Sequence, residues 1–120
     1  MGAPVAWFEI TSNDHERAQK FYAELFGWTV NADPNMGGYG IVDTGAKGEN
    51  AVGGGIGPSG GADDPVGVKI YLRVDDLEKY LSRAEQLGGK RVGKPVELPE
   101  GWGTVATFTD PDGNPVGIWK

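Results

Sequence analysis

The chain has 120 residues, 38% of them apolar, and a net charge of −6 with a pI near 4.6. That length is ordinary for one domain, and the acidic balance argues against a nucleic-acid or anionic-membrane partner. The absence of cysteine excludes disulfides, thiolate metal sites and a cysteine nucleophile. With no long apolar span or leader-like segment, a soluble, cytoplasmic protein is expected.

In chain order, "VAWFEIT" (5–11) reads as a strand by composition. In "SNDHERAQKFYAELFGW" (12–28), Ala18, Phe21, Tyr22, Leu25 and Phe26 share one helical face. Asn13 with Glu16 predicts the N-terminal capping box, and Gly27 the stop. Three strand-like stretches follow: "WTVNA" (28–32), "GYGIVDT" (38–44) and "AVGGGIG" (51–57). "GPSGGADDP" (57–65) reads as a flexible linker. Its glycines lack the Gly-Lys-Ser/Thr of a phosphate loop.

The pattern then recurs. "VKIYLRV" (68–74) is strand-like, and Leu77, Tyr80, Leu81, Ala84 and Leu87 form a second helical stripe, with Asp75 and Glu78 as cap and Gly88 as stop. The strands "RVGKPVEL" (91–98), "GTVATFT" (103–109) and "PVGIWK" (115–120) complete it. Asn13 to Asp75 and Glu16 to Glu78 are each 62 positions apart, and Val52-Gly53 reads as the counterpart of Val116-Gly117. The prediction is an α+β fold of two tandem βαβββ modules, about 4–57 and 67–120, joined through 58–66. Each module is too small to stand alone.

This duplicated layout, with "FEI…ERAQKFYAELFGW" and "FTDPDGNPVGIW", resembles the vicinal oxygen chelate superfamily, which includes glyoxalase I, bleomycin-resistance proteins and extradiol dioxygenases. The resemblance spans Val5 to Trp119. It implies a curled-sheet cup with helices outside, a ligand cavity inside and, frequently, a homodimer. In the metal-dependent enzymes of that family, each module gives one ligand from its first strand and one from its last. The metal polarises two neighbouring substrate oxygens. Here those positions hold Trp7, Gly53 or Gly54, Lys69 and Gly117. None suits a divalent ion, which takes imidazole or carboxylate donors, so no metal or other cofactor is expected.

Strand alternation places Phe8, Ile10, Ile70, Leu72, Val74, Val116 and Ile118 toward the helices. It leaves Trp7, Glu9, Thr11, Lys69, Tyr71, Arg73, Gly117 and Trp119 for the cavity. Trp7, Glu9, Lys69, Tyr71, Arg73 and Trp119 are the candidate ligand-binding residues, for an aromatic or polar-aromatic small molecule. Trp7 and Trp119 either line the cup or fill it as a second core. Glu9 either pairs with Lys69 or, with its pKa raised by burial, serves as a general base. Arg73 reads as a solvated rim residue. His15, the only histidine, reads as surface in a first helical turn, and "DPDGN" (110–114) as a tight turn rather than a calcium loop. Three functions follow: a metal-free small-molecule binder, a glyoxalase-type lyase or isomerase with a displaced metal site or none, and a dimeric module whose cup is self-filled.

Overall fold

The computed structural model describes residues 2–48, 51–62 and 64–120. It divides into two compact units, Ala6–Val68 and Lys69–Lys120, the latter joined by the opening residues through Val5. Met1, Glu49 and Asn50 lie outside the described residues, as does the linker expectation at Asp63.

The first unit is built from β1 (Val5–Ser12), α1 (His15–Phe26), β2 (Thr29–Asp33), β3 (Tyr39–Asp43) and β4 (Gly53–Pro58). β2 pairs antiparallel with β3 and β3 with β4, while β4 lies parallel to β1. The second unit repeats this with β5 (Gly67–Arg73), α2 (Leu77–Gln86), β6 (Lys90–Glu97), β7 (Thr104–Thr109) and β8 (Pro115–Trp119). β6–β7 and β7–β8 are antiparallel and β8–β5 is parallel. The two βαβββ modules read from sequence are therefore present, in an α+β fold.

Both helix starts lie one residue beyond the sequence expectation. Asp14, not Asn13, caps α1 by accepting from the Arg17 amide at 3.2 Å. Asp76, not Asp75, caps α2 by accepting from the Lys79 amide at 3.1 Å. Ser12 draws the turn forward by accepting from the Asp14 amide. Glu16 and Glu78 thus sit one place early for a reciprocal box. The spacing from Asp14 to Asp76 is still 62, so the duplication holds. Gly27 ends α1 in the left-handed region, φ 70°, where glycine carries no side-chain penalty.

The α1 stripe is corrected more deeply. No residue of α1 is buried, and Phe21, Leu25 and Phe26 are 57%, 59% and 57% exposed. The half-buried face is His15, Ala18, Gln19, Tyr22 and Ala23, turned by about one residue from the apolar reading. Gln19 explains the turn: its amide donates to the Gly38 and Ile56 carbonyls at 2.9 and 2.8 Å. Those carbonyls need a donor once covered, and Gln19 supplies it. Tyr22 stacks on Trp28 at 5.8 Å and 13°, and Trp28 meets Phe8 at 5.4 Å. His15 is half-buried rather than surface, its ring against Gly38.

The second helix follows its stripe better. Leu77 and Leu81 are buried in a cluster with Val74, Ala106 and Ile118, flanked by Ala3, Leu72 and Phe108. Tyr80 and Leu87 stay exposed, and so does Ile70, at 41%, against the expectation that α2 covers it. Arg91 of β6 clamps the outer edge of α2. It makes a two-pronged contact with Glu78 at 2.8 and 3.1 Å and reaches Glu85 at 3.0 Å. That guanidinium holds the Glu78 carboxyl below the usual carboxylate range.

At its described residues the expected linker makes hydrogen bonds at both ends. Ser59 donates its amide to the Ser12 carbonyl and its hydroxyl to the Asp64 carbonyl, and Thr11 donates to the Pro65 carbonyl at 2.6 Å. "DPDGN" is the tight turn expected: Asp110 accepts from the Asp112 and Asn114 amides and from the Asn114 side chain. Those bonds, led by Asn114, lower its pKa. No described helix is long and apolar enough to cross a membrane.

The second helix predicts a contrast in stability. Leu81→Ala empties a site 1% exposed and should cost about 2–5 kcal/mol. Leu87→Ala, on the same apolar stripe but 62% exposed, should stay within about 0.5 kcal/mol. Urea unfolding of both variants checks this, and a large loss at Leu87 would contradict the helix orientation.

Candidate functional site

In a parallel pair, registered residues share a face of the sheet. β1 and β4 register Trp7 with Gly53, Phe8 with Gly54 and Glu9 with Gly55. β5 and β8 register Tyr71 with Gly117. The structural counterpart of Gly117 is therefore Gly55, again 62 positions away, and not Gly53 as the Val-Gly match suggested. A carboxylate and a tyrosine, Glu9 and Tyr71, occupy equivalent places in the two modules.

On the helix-free face of the first module, aromatic rings lie against glycines. A Cβ at Gly53 would stand 3.0 Å from the Trp7 ring. One at Gly57 would stand 2.6 Å from the Tyr39 ring, and one at Gly55 would overlap the Tyr39 phenol itself. The alternate glycines of "GGGIG" thus let two rings lie close against β4, because only glycine lets another group so close to the strand. The rings carry a polar chain: the Trp7 indole N–H donates to the Tyr39 hydroxyl at 3.0 Å. That hydroxyl donates to the Glu9 carboxylate at 3.0 Å. Glu9 is held in a fixed orientation, with a phenolic proton directed at it.

The second module uses the same device with opposite charge. Tyr71 lies over Gly117, where a Cβ would overlap its ring. Lys69, only 9% exposed, donates from Nζ to the Thr107 hydroxyl at 2.8 Å and lies 4.8 Å from the Tyr71 ring centroid. Arg73, exposed as expected, stacks 4.3 Å over the Trp119 ring. The Trp119 indole N–H donates to the Trp102 carbonyl at 2.8 Å.

The first module brings together Trp7 and Glu9, and the second brings together Lys69, Tyr71, Arg73 and Trp119. Tyr39, Thr107 and Trp102 were not singled out from sequence. For Tyr39 a signal existed: three glycines alternating along one strand face call for a ring from a neighbouring strand. Among the described residues, no three His, Cys, Asp or Glu side chains come together as a metal-holding group.

The comparisons fit this architecture. A glyoxalase-like domain model matches residues 7–119, and the chain belongs to that family, within the vicinal oxygen chelate superfamily. It is 34% identical to the anthracycline biosynthesis protein DnrV of Streptomyces peucetius, over 99% of this chain and 47% of that protein. It is 30% identical to a glyoxylase-like domain-containing protein of Didymella fabae, covering 92% of this chain and 88% of that one. The chain thus spans about half the length of the first of these relatives and most of the second. Among solved structures it resembles a glyoxalase/bleomycin resistance protein/dioxygenase superfamily member from Vibrio splendidus 12B01. That likeness has a TM-score of 0.62 at 16% identity, over 98% of both chains, and concerns the fold alone.

The seating of Tyr71 predicts coupling. Gly117→Ala should destabilise by about 1–3 kcal/mol, because the ring must leave its place. The same substitution in a Tyr71→Ala background should cost clearly less, and a double-mutant cycle in urea measures the difference. Equal costs in both backgrounds would show that the ring does not rest on Gly117.

Proposed function

We propose that this protein binds small, flat aromatic molecules on the helix-free faces of its sheets, without a catalytic metal, and acts by sequestration or carriage. The observation that carries the reading is the aromatic paving: Trp7 lies on Gly53 and Tyr71 on Gly117, strand positions where the family resemblance expects metal ligands, and Tyr39 lies on Gly55 and Gly57 beside them. An indole, an ammonium group and glycines do not make the imidazole and carboxylate set such an ion takes. Aromatic walls with a few fixed polar groups suit a small-molecule site. The likeness to a protein named for anthracycline biosynthesis supports a fused-ring ligand.

The expected outcome is saturable quenching of tryptophan fluorescence by members of a fused-ring aromatic series that includes an anthracycline. Elemental analysis after soaking in nickel, zinc, manganese and iron should show no metal above background. Flat titrations across the series would overturn the binding reading. Metal near one per chain would favour the lyase or isomerase reading instead.

We also propose that the chain forms a homodimer. The exposure of Phe21, Leu25 and Phe26 on α1 supports it, since apolar rows of this kind are usually covered by a partner. Sedimentation should give twice the 12.7 kDa chain mass, falling to the chain mass on Leu25→Asp. A wild-type species at the chain mass at tens of micromolar would rule the dimer out.

A further inference from the structure

Three of the four arginines in the chain set their guanidinium against an oxygen. Arg17 reaches Asp14 at 3.8 Å, Arg83 donates to Gln86 at 3.1 Å, and Arg91 clamps Glu78 and Glu85. Arg73 is the exception. Its backbone amide donates to the Pro4 carbonyl at 2.9 Å, but its guanidinium lies 4.3 Å over the Trp119 ring. Among the described residues, no carboxylate stands within ion-pair distance of it. In a chain with 17 acids and a net charge of −6, this exposed cation faces an indole instead.

The indole beneath it is fixed. Its N–H donates to the Trp102 carbonyl at 2.8 Å, and Gly103 leaves room for it, since a Cβ there would stand 2.8 Å from the indole nitrogen. Trp119 registers with Arg73 on one side and with Val105 on the other, and Val105 registers with Val96. These four residues form one row across four strands, roughly 14 Å long at the usual strand spacing. The alternate residues Ala106 and Ile118 are buried with Leu77 and Leu81 of α2, which puts the row on the helix-free face. Val96 is 57% exposed, so apolar surface is open at the end of the row away from Arg73. Glu97 registers with Thr104 and so projects to the opposite face.

A cation–π contact holds the charge in place without supplying an oxygen to the five guanidinium N–H donors. Resting on the binding reading above, we propose that Arg73 is the specificity residue of this face and that its ligands are flat apolar molecules ending in a carboxylate. The two carboxylate oxygens meet the guanidinium fork, while the apolar body lies along Val105 and Val96. Because the pair forms at an exposed residue, it adds modestly to affinity. Its effect is to select the charged member of a series of similar rings.

The test titrates 2-naphthoate and 2-naphthamide, which share a ring system and differ in charge, into the whole protein by calorimetry at low ionic strength. The wild type should bind the naphthoate about fivefold more tightly, the scale of one exposed charged pair. Arg73→Gln should erase that preference and leave naphthamide affinity unchanged, which also reports that the variant is folded. Arg83→Gln removes the same charge from α2 and should keep the preference, which separates contact from net charge. Arg73→Lys should recover only part of it, since an ammonium lacks the fork, and full recovery refutes the two-pronged contact. Equal binding of the two probes by the wild type overturns the role of Arg73 while leaving aromatic binding intact, whereas binding of neither overturns both readings. A preference that survives Arg73→Gln, or falls equally in Arg83→Gln, refutes the proposal.

Discussion

The close approach of aromatic rings to bare backbone organises both modules. Each pairs its first and last strands in parallel, and on the helix-free side the last strand sets glycine beneath a ring, at Gly53, Gly55 and Gly57 in β4 and at Gly117 in β8. Trp7 and Tyr39 rest on Gly53, Gly55 and Gly57, and Tyr71 rests on Gly117. A ring laid against a strand fills the volume that side chains from that strand would otherwise take. It also brings its polar edge or its π face to a defined place. In one module that place holds a carboxylate, Glu9, and in the other an ammonium, Lys69. The position of each ring depends on the missing Cβ atoms.

Much of the fold was legible in the chain because a duplicated pattern is read twice. Eight strands and two helices fall close to where alternation, stripes and glycine stops place them. What was not legible depended on local hydrogen-bond competition. Asn13 and Asp14 are both good caps, as are Asp75 and Asp76, and Ser12 binding the Asp14 amide decides the first case. The α1 stripe misled for a related reason. Apolarity selects Phe21 and Leu25, but the helix docks through Gln19, whose amide meets two backbone carbonyls. A polar side chain can fix a helix's rotation when the sheet below it presents carbonyls rather than apolar surface. Composition likewise gave no sign of the hydrogen bonds that Ser12, Thr11 and Ser59 make at the two ends of "GPSGGADDP".

The site was half legible. Strand alternation identified the residues on each helix-free face, since parity along a strand is a geometric rule. It could not identify the partners that come from other strands. Tyr39 and Thr107 reach Glu9 and Lys69 from positions 30 and 38 residues away in sequence. Gly117 was read as the place where a side chain is missing. The structure shows what takes its space, the ring of Tyr71, so a position that looks vacated in sequence is occupied in three dimensions.

The same contact constrains how such a protein can change over generations. A carboxylate side chain entering at position 117 must push the Tyr71 ring from its place, because any Cβ meets the ring first. Removing Tyr71 first would uncover that position but would also withdraw the surface beside which Lys69 is held. The two substitutions are thus coupled, and either one alone disturbs the aromatic surface beside Lys69 before any chelating set exists. Such coupling acts as a ratchet: a lineage that has settled a tyrosine on this glycine is steered toward refining the aromatic face instead of rebuilding an acidic one.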